Sequence, residues 1–176
     1  MTWTTYGSPF GSLTLIGDEN HLRRLYFPGR APSLNEADRD PEAFTHAVEQ
    51  LEQYFAGDRQ TFELPLELEG TAFQQRVWHA LQHLPYGQTA TYGDLARELC
   101  ASTDTVAPEA RIVAAAIAQT PTPIIVPCHR VIAADGSLTG YLGGLERKQA
   151  LLEFEAAGGL PCALLARWNQ RQLTLL

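Results

Sequence analysis

Positive charge is scarce in this chain. Its 176 residues hold 13 Lys+Arg against 20 Asp+Glu, a formal net charge of −7 at pH 7. That balance argues against indiscriminate nucleic-acid binding, which depends on attraction to phosphates. Cysteine is scarce too. Cys100, Cys128 and Cys162 are odd in number and widely spaced, which excludes a disulfide framework and a paired-cysteine zinc site. A reducing cytoplasm is the compartment in which such thiols persist. No apolar run is long enough to cross a bilayer. Met1–Tyr6 has neither the basic nor the apolar stretch of a signal peptide. No internal repeat or low-complexity segment is present. What is there, 45% hydrophobic residues, is enough to build the core of one large domain or two small ones.

The charge is unevenly placed. Residues 1–69 carry 5 Lys+Arg and 12 Asp+Glu, and residues 70–176 carry 8 of each. The acidity belongs to the first part, which leaves a DNA-facing surface on the second part possible. Residues 1–69 read as a strand-rich module with one helix. Ser12–Ile16 alternates like a strand after a Ser8-Pro9-Phe10-Gly11 turn, and Leu22–Phe27 reads as its partner, stopped by Pro28-Gly29. Asp40 as N-cap and Pro41 behind it predict a helix start. Phe44, Val48, Leu51 and Phe55 give that helix its apolar face, and Gly57 ends it. Thr61–Leu64 reads as a last strand.

From residue 71 the pattern is helical. Thr71 and Gln74 form a capping box, and Phe73, Val77, Trp78 and Leu81 an apolar face. Thr91 and Asp94 open a second helix running to Leu99. A polar loop, 100–107, precedes Pro108 and an alanine-rich helix from Glu109 to about Gln119. Two helices joined by a turn, the second slim and carrying Arg111, make a helix-turn-helix pattern. Two packed core helices would give the same periodicity. A glycine-punctuated stretch at Gly136, Gly140, Gly143 and Gly144 leads to a last helix, Leu145–Ala157. Residues 160–176 carry no readable chemistry.

The chemistry concentrates in Pro127-Cys128-His129-Arg130, which follows the apolar run Ile124-Ile125-Val126, read as a buried extended segment. Cysteine reacts as thiolate, and an adjacent imidazole can take its proton. A packed core thiol is the other reading of the same four residues.

The surrounding residues carry a resemblance. Gly70-Thr71, Val77-Trp78, Leu84-Pro85-Tyr86-Gly87-Gln88-Thr89, Tyr92, Arg111, Pro127 to Ile132, Leu138-Thr139-Gly140-Tyr141, Gly143-Gly144-Leu145, Lys148 and Leu151-Leu152 keep the order and spacing of a known family. Over roughly residues 70–157 the chain resembles the O6-alkylguanine-DNA alkyltransferases, or methylated-DNA–protein-cysteine methyltransferases, of bacterial constitutive type. The resemblance implies an α+β fold. A ribonuclease-H-like α/β module, 1–69, would precede a mostly helical, winged helix-turn-helix-like domain, 70–176. It implies direct DNA repair in a single turnover. The protein flips O6-alkylguanine, with O4-alkylthymine a further candidate, out of duplex DNA and moves the alkyl group irreversibly onto its own cysteine. No metal and no organic cofactor is implied. The partner would be double-stranded DNA met in the minor groove, with no membrane involved. The protein would be a monomer in solution, with cooperative binding on DNA left open.

Residue by residue, the resemblance makes Cys128 the acceptor, His129 the group that takes its proton through a water, and Glu155 the carboxylate that holds the imidazole. Read alone, Glu155 would be a solvated surface carboxylate and Glu153 an equal candidate; the spacing from the cysteine that the resemblance carries selects Glu155. Tyr92 would contact the flipped base and protonate its ring nitrogen. Tyr141, Leu142 and Gly143 would close the pocket, with the Leu142 N–H facing O6. The carbonyls of Cys128 and Val131 would accept from the exocyclic amine. Arg111 would be the finger that fills the gap left in the stack. Three departures from the family pattern bear on DNA fit: Thr120 stands for an asparagine, Ala114 for a glycine with Ile112 for a small residue, and the 100–107 loop is longer. The rival reading is a non-catalytic alkyltransferase-like lesion binder, against which the presence of Cys128 speaks. A regulator would need a cysteine-rich metal domain, and a cysteine hydrolase would have no use for the finger.

Overall fold

The computed structural model describes residues 1–101 and 108–159. By contact the chain divides into two compact units, Met1–Leu68 with the chain from Glu153 on, and Glu69–Leu152.

In the first unit three antiparallel strands lie in sequence order: β1 (Thr2–Ser8), β2 (Gly11–Gly17) and β3 (Leu22–Tyr26). The Ser8–Gly11 turn closes the β1–β2 hairpin with Ser8 paired to Gly11. Gly11 is required there twice over: its φ is 95°, and a Cβ would come within 2.8 Å of Pro28 Cγ. Strand β1 has no sequence expectation behind it. Its residues, Thr2-Trp3-Thr4-Thr5-Tyr6, are β-formers without a clean apolar alternation. Helix α1 (Thr45–Ala56) lays Leu51 and Tyr54 into the core with Leu13, Leu15 and Leu25. It starts later than Asp40 and Pro41 suggest. The Asp40 carboxylate caps a preceding turn through the Glu42 N–H at 3.0 Å, and the helix begins after Phe44, at φ 60°. Gly57 ends it as expected, at φ 86°. The expected strand at Thr61–Leu64 does not form. The Gln50 side chain takes both the N–H (2.8 Å) and the carbonyl (2.9 Å) of Glu63, and the backbone pairs with β3 only where Leu66 meets Leu22. Arg23 bridges Asp18 at 2.8 Å and Glu67 at 2.7 Å. Its guanidinium neutralises a group of carboxylates that, with His21, lie close enough to share a cation.

In the second unit α2 (Ala72–Gln82), α3 (Tyr92–Ala101) and α4 (Ala110–Ile117) pack around Val77, Trp78, Leu81, Leu95, Leu99, Val113 and Ile117. The Thr71–Gln74 capping box is formed. Thr91 and Asp94 likewise exchange hydrogen bonds at the start of α3, at 2.8 and 3.1 Å. Trp78 ties α2 to α4 by donating its indole N–H to the Ala116 carbonyl at 2.9 Å. A Cβ on Gly70 would strike the Trp78 ring at 2.4 Å, so the residue before the helix must be glycine. Two short parallel strands, β4 (Ala90–Thr91) and β5 (Val131–Ile132), pair Ala90 with Val131 and Thr91 with Ile132. α5 (Leu145–Ala156) closes the described chain, and the division between the units falls inside it. No described helix is long and apolar enough to cross a membrane.

Candidate active site and nucleic-acid interface

Residues 121–130 are buried without a break. The approach to Cys128 is a tight turn, where the sequence suggests an extended run. Ile124 has φ 76°, and the Val126 N–H bonds back to the Thr122 carbonyl at 2.9 Å. A left-handed β-branched residue stores strain of about 1–3 kcal/mol, held here because Ile124 is completely buried. Cys128–Arg130 then forms one turn of 3-10 helix. The β5–β4 pairing that follows it sets this turn beside Tyr92, the first residue of α3.

Cys128 is 2% exposed. Burial pushes its thiol up to about 12, against a smaller downward pull from a Thr120 hydrogen bond and from the Lys148 charge. The one Thr120 hydroxyl proton goes to the Ile117 carbonyl at 2.7 Å and would turn to the sulfur only as the thiolate forms. Thr120 therefore still links α4 to the cysteine, with one hydroxyl in place of an amide. His129 is fully buried, with the Tyr141 ring edge-on at 6.5 Å. Arg130 is spoken for within the protein: it donates to the Leu84 carbonyl at 2.6 Å and lies over the Tyr86 ring. The Cys128 carbonyl accepts the Val131 N–H, which leaves one lone pair.

The pocket loop is anchored at Thr139. Its carbonyl accepts from the Lys148 ammonium at 2.8 Å, and its hydroxyl donates to the Tyr92 oxygen at 3.1 Å. Lys148 is the one lysine in the chain and is fully buried. Burial lowers its pKa, while the Cys128 charge works the other way. Tyr141 and Gly144 close a turn, with N–H to carbonyl at 2.9 Å. Arg147 donates to the Gly143 carbonyl at 2.8 Å, and Leu142 is 41% exposed at the turn.

A cavity of about 630 Å³ opens on this unit, lined among others by Tyr92, Arg97, Arg111, Ala114 and Thr139. Cys128, His129, Val131 and the 141–143 turn do not line it. Arg111 projects into solvent and pairs with Glu109. Glu155, in the first unit, is only 2% exposed. It accepts from the Tyr54 hydroxyl at 2.7 Å, and Phe55, Phe62 and Phe154 surround that tyrosine ring. A buried carboxylate with a charge-assisted hydrogen bond is a fixed one.

Known proteins match both halves of the chain. Residues 72–157 match the 6-O-methylguanine DNA methyltransferase, DNA binding domain, and residues 1–68 the ribonuclease-like domain of the same proteins. The chain belongs to the 6-O-methylguanine DNA methyltransferase family. A methylated-DNA–protein-cysteine methyltransferase of Mycobacterium bovis is 48% identical over 87% of this chain and 91% of that protein. One from Methanosarcina acetivorans is 42% identical over 89% and 99%. Among solved structures, that of Mycobacterium tuberculosis OGT in complex with DNA superposes with a TM-score of 0.84 at 45% identity, over 94% of this chain and 99% of that one.

Within this methyltransferase-family fold, the second unit sets Cys128 against Thr120 and Lys148, His129 edge-on to Tyr141, and Tyr92 and Lys148 on Thr139. Arg111 and Ala114 share the outer cavity with Tyr92. Tyr54 carries no sequence expectation, and Thr139 and Lys148 enter only as part of the family pattern. Its being the one lysine in the chain is the signal that could have drawn attention to Lys148. The 102–107 part of the longer loop lies outside the described residues, as do Cys162 and the chain from 160 on.

Proposed function

We propose that this protein repairs O6-alkylguanine in duplex DNA by moving the alkyl group onto Cys128, once per molecule and irreversibly. O4-alkylthymine is a second candidate substrate. The Cys128 sulfur forms a bond to the alkyl carbon as the carbon–O6 bond breaks, and the electron pair leaves with guanine. His129 takes the thiol proton through a water, Glu155 balances the imidazolium, and Tyr92 returns a proton to the base. The Leu142 N–H faces O6 and the Cys128 and Val131 carbonyls read the exocyclic amine. Tyr141 and Gly143 close over the base. Arg111 enters the minor groove and fills the gap, with Ala114 keeping α4 slim and Thr120 carrying its position to the cysteine. The first module, 1–69, and the DNA-binding domain, 70–176, act together as a monomer in the cytoplasm, needing no cofactor.

The observation that carries this reading is the buried Cys128–His129 turn, hydrogen-bonded through β5 to the strand that starts the Tyr92 helix. A thiol raised to about 12 is a poor nucleophile until a proton acceptor relieves it, the part this reading gives to the adjacent His129. Enclosure of an extruded base is the general solution for chemistry on DNA bases, and the cavity of about 630 Å³ that Tyr92 shares with Arg111 is the face on which this reading has the duplex arrive. Arg111→Ala is expected to slow transfer from duplex DNA far more than transfer from free O6-benzylguanine. Equal slowing of both would remove the finger role.

A further inference from the structure

We infer that Arg97 is a DNA-backbone contact, a second guanidinium that holds a phosphate beside the cavity entered by Arg111. The inference rests on the DNA-repair reading and adds a residue to it. Arg97 lies on α3, five residues after Tyr92, and lines the same cavity as Tyr92, Arg111, Ala110 and Ala114. Its side chain is 72% exposed. Arg97 and Arg111 are the two cations in that lining, and Asp94 is its one anion. The other lining residues, Ala110, Ala114, Ala133, Ala134 and Gly93 among them, are small, so a duplex approaching Tyr92 meets the two guanidiniums first.

Both arginines are parked on carboxylates of their own segment, Arg97 on Asp94 and Arg111 on Glu109. Exposed ion pairs of this kind add little to stability, so exchanging the carboxylate for a phosphate is easy. Asp94 does not depend on Arg97. Its other oxygen accepts from the Thr91 N–H at 2.8 Å and the Thr91 hydroxyl at 2.7 Å. Those bonds come first among the causes that hold its carboxyl below the ordinary range. The cap of α3 therefore survives when Arg97 turns to DNA. Guanidinium is the side chain best matched to a phosphate, offering two parallel N–H donors.

The chain's net charge makes the assignment consequential. At −7 overall, with 8 basic and 8 acidic residues in 70–176, attraction to phosphate rests on few cations. One phosphate contact is then a large part of the whole.

The test is duplex binding by fluorescence anisotropy across a salt series, using the full chain carrying Cys128→Ser so that no transfer occurs. Adding Arg97→Ala should weaken binding severalfold at low salt. It should also make the plot of log affinity against log salt shallower by about 0.9, the loss of one phosphate contact. Arg97→Lys, which keeps the charge, should keep the slope. Coincident lines for Arg97→Ala and the parent, or a fall with Arg97→Lys as deep as with alanine, would overturn the assignment. If the parent binds with no salt dependence, the DNA-repair reading itself is at fault, which is a different result.

Discussion

Cys128, the proposed nucleophile, is held in its protonated form. Burial holds the proton on sulfur, so at pH 8 only about one molecule in ten thousand carries a thiolate if the thiol titrates near 12. The sign follows directly: a raised thiol gains thiolate tenfold per pH unit all the way up. Labelling of Cys128 by iodoacetamide without DNA should therefore climb about tenfold per unit from pH 7 to 10 with no plateau. Half-buried Cys100 should be labelled first. Peptide mass mapping over that range checks this, and a plateau near pH 9 would mean the thiol is not held up by its surroundings. At this scale the sequence was legible where the chemistry is local. Cys128 and His129 are neighbours in the chain. Glu155 was not legible on its own residues, because its burial depends on Tyr54, 101 positions away. Lys148 is nine residues from the carbonyl it holds, a pairing no helical or strand period announces.

Elements were readable when their signals are self-contained. The capping boxes at Thr71–Gln74 and Thr91–Asp94 each close within one turn, and both form. Misreadings arose where a side chain was committed elsewhere. Asp40 caps a turn ahead of α1, Gln50 takes the backbone of the expected strand at Glu63, and Ile124 bends what reads as an extended run. Helix α2 holds α4 through the Trp78 indole. Trp78→Phe removes the donor to the Ala116 carbonyl and leaves a void beneath α4. It should cost about 2–4 kcal/mol in urea unfolding. A loss below about 0.5 kcal/mol would show that α4 is held by other contacts.

Over the whole molecule, acidity and chemistry are separated along the chain. Residues 1–69 carry the excess of carboxylates, while the thiol, the imidazole and both cavity arginines belong to Glu69–Leu152. Such a separation would let an acidic protein present individual arginines to DNA, as proposed for Arg111 and Arg97, and it was visible in the sequence as two charge counts. The assembly around Thr139 was not, since it joins α3, the pocket loop and α5. The central claim is alkyl transfer to Cys128. Incubation with duplex DNA containing O6-methylguanine, followed by intact-protein and peptide mass spectrometry, should find one added methyl group, on the peptide bearing Cys128. It should be absent when Cys128 is replaced by serine. A folded protein whose mass does not change, or a methyl group found on another residue, would contradict the account.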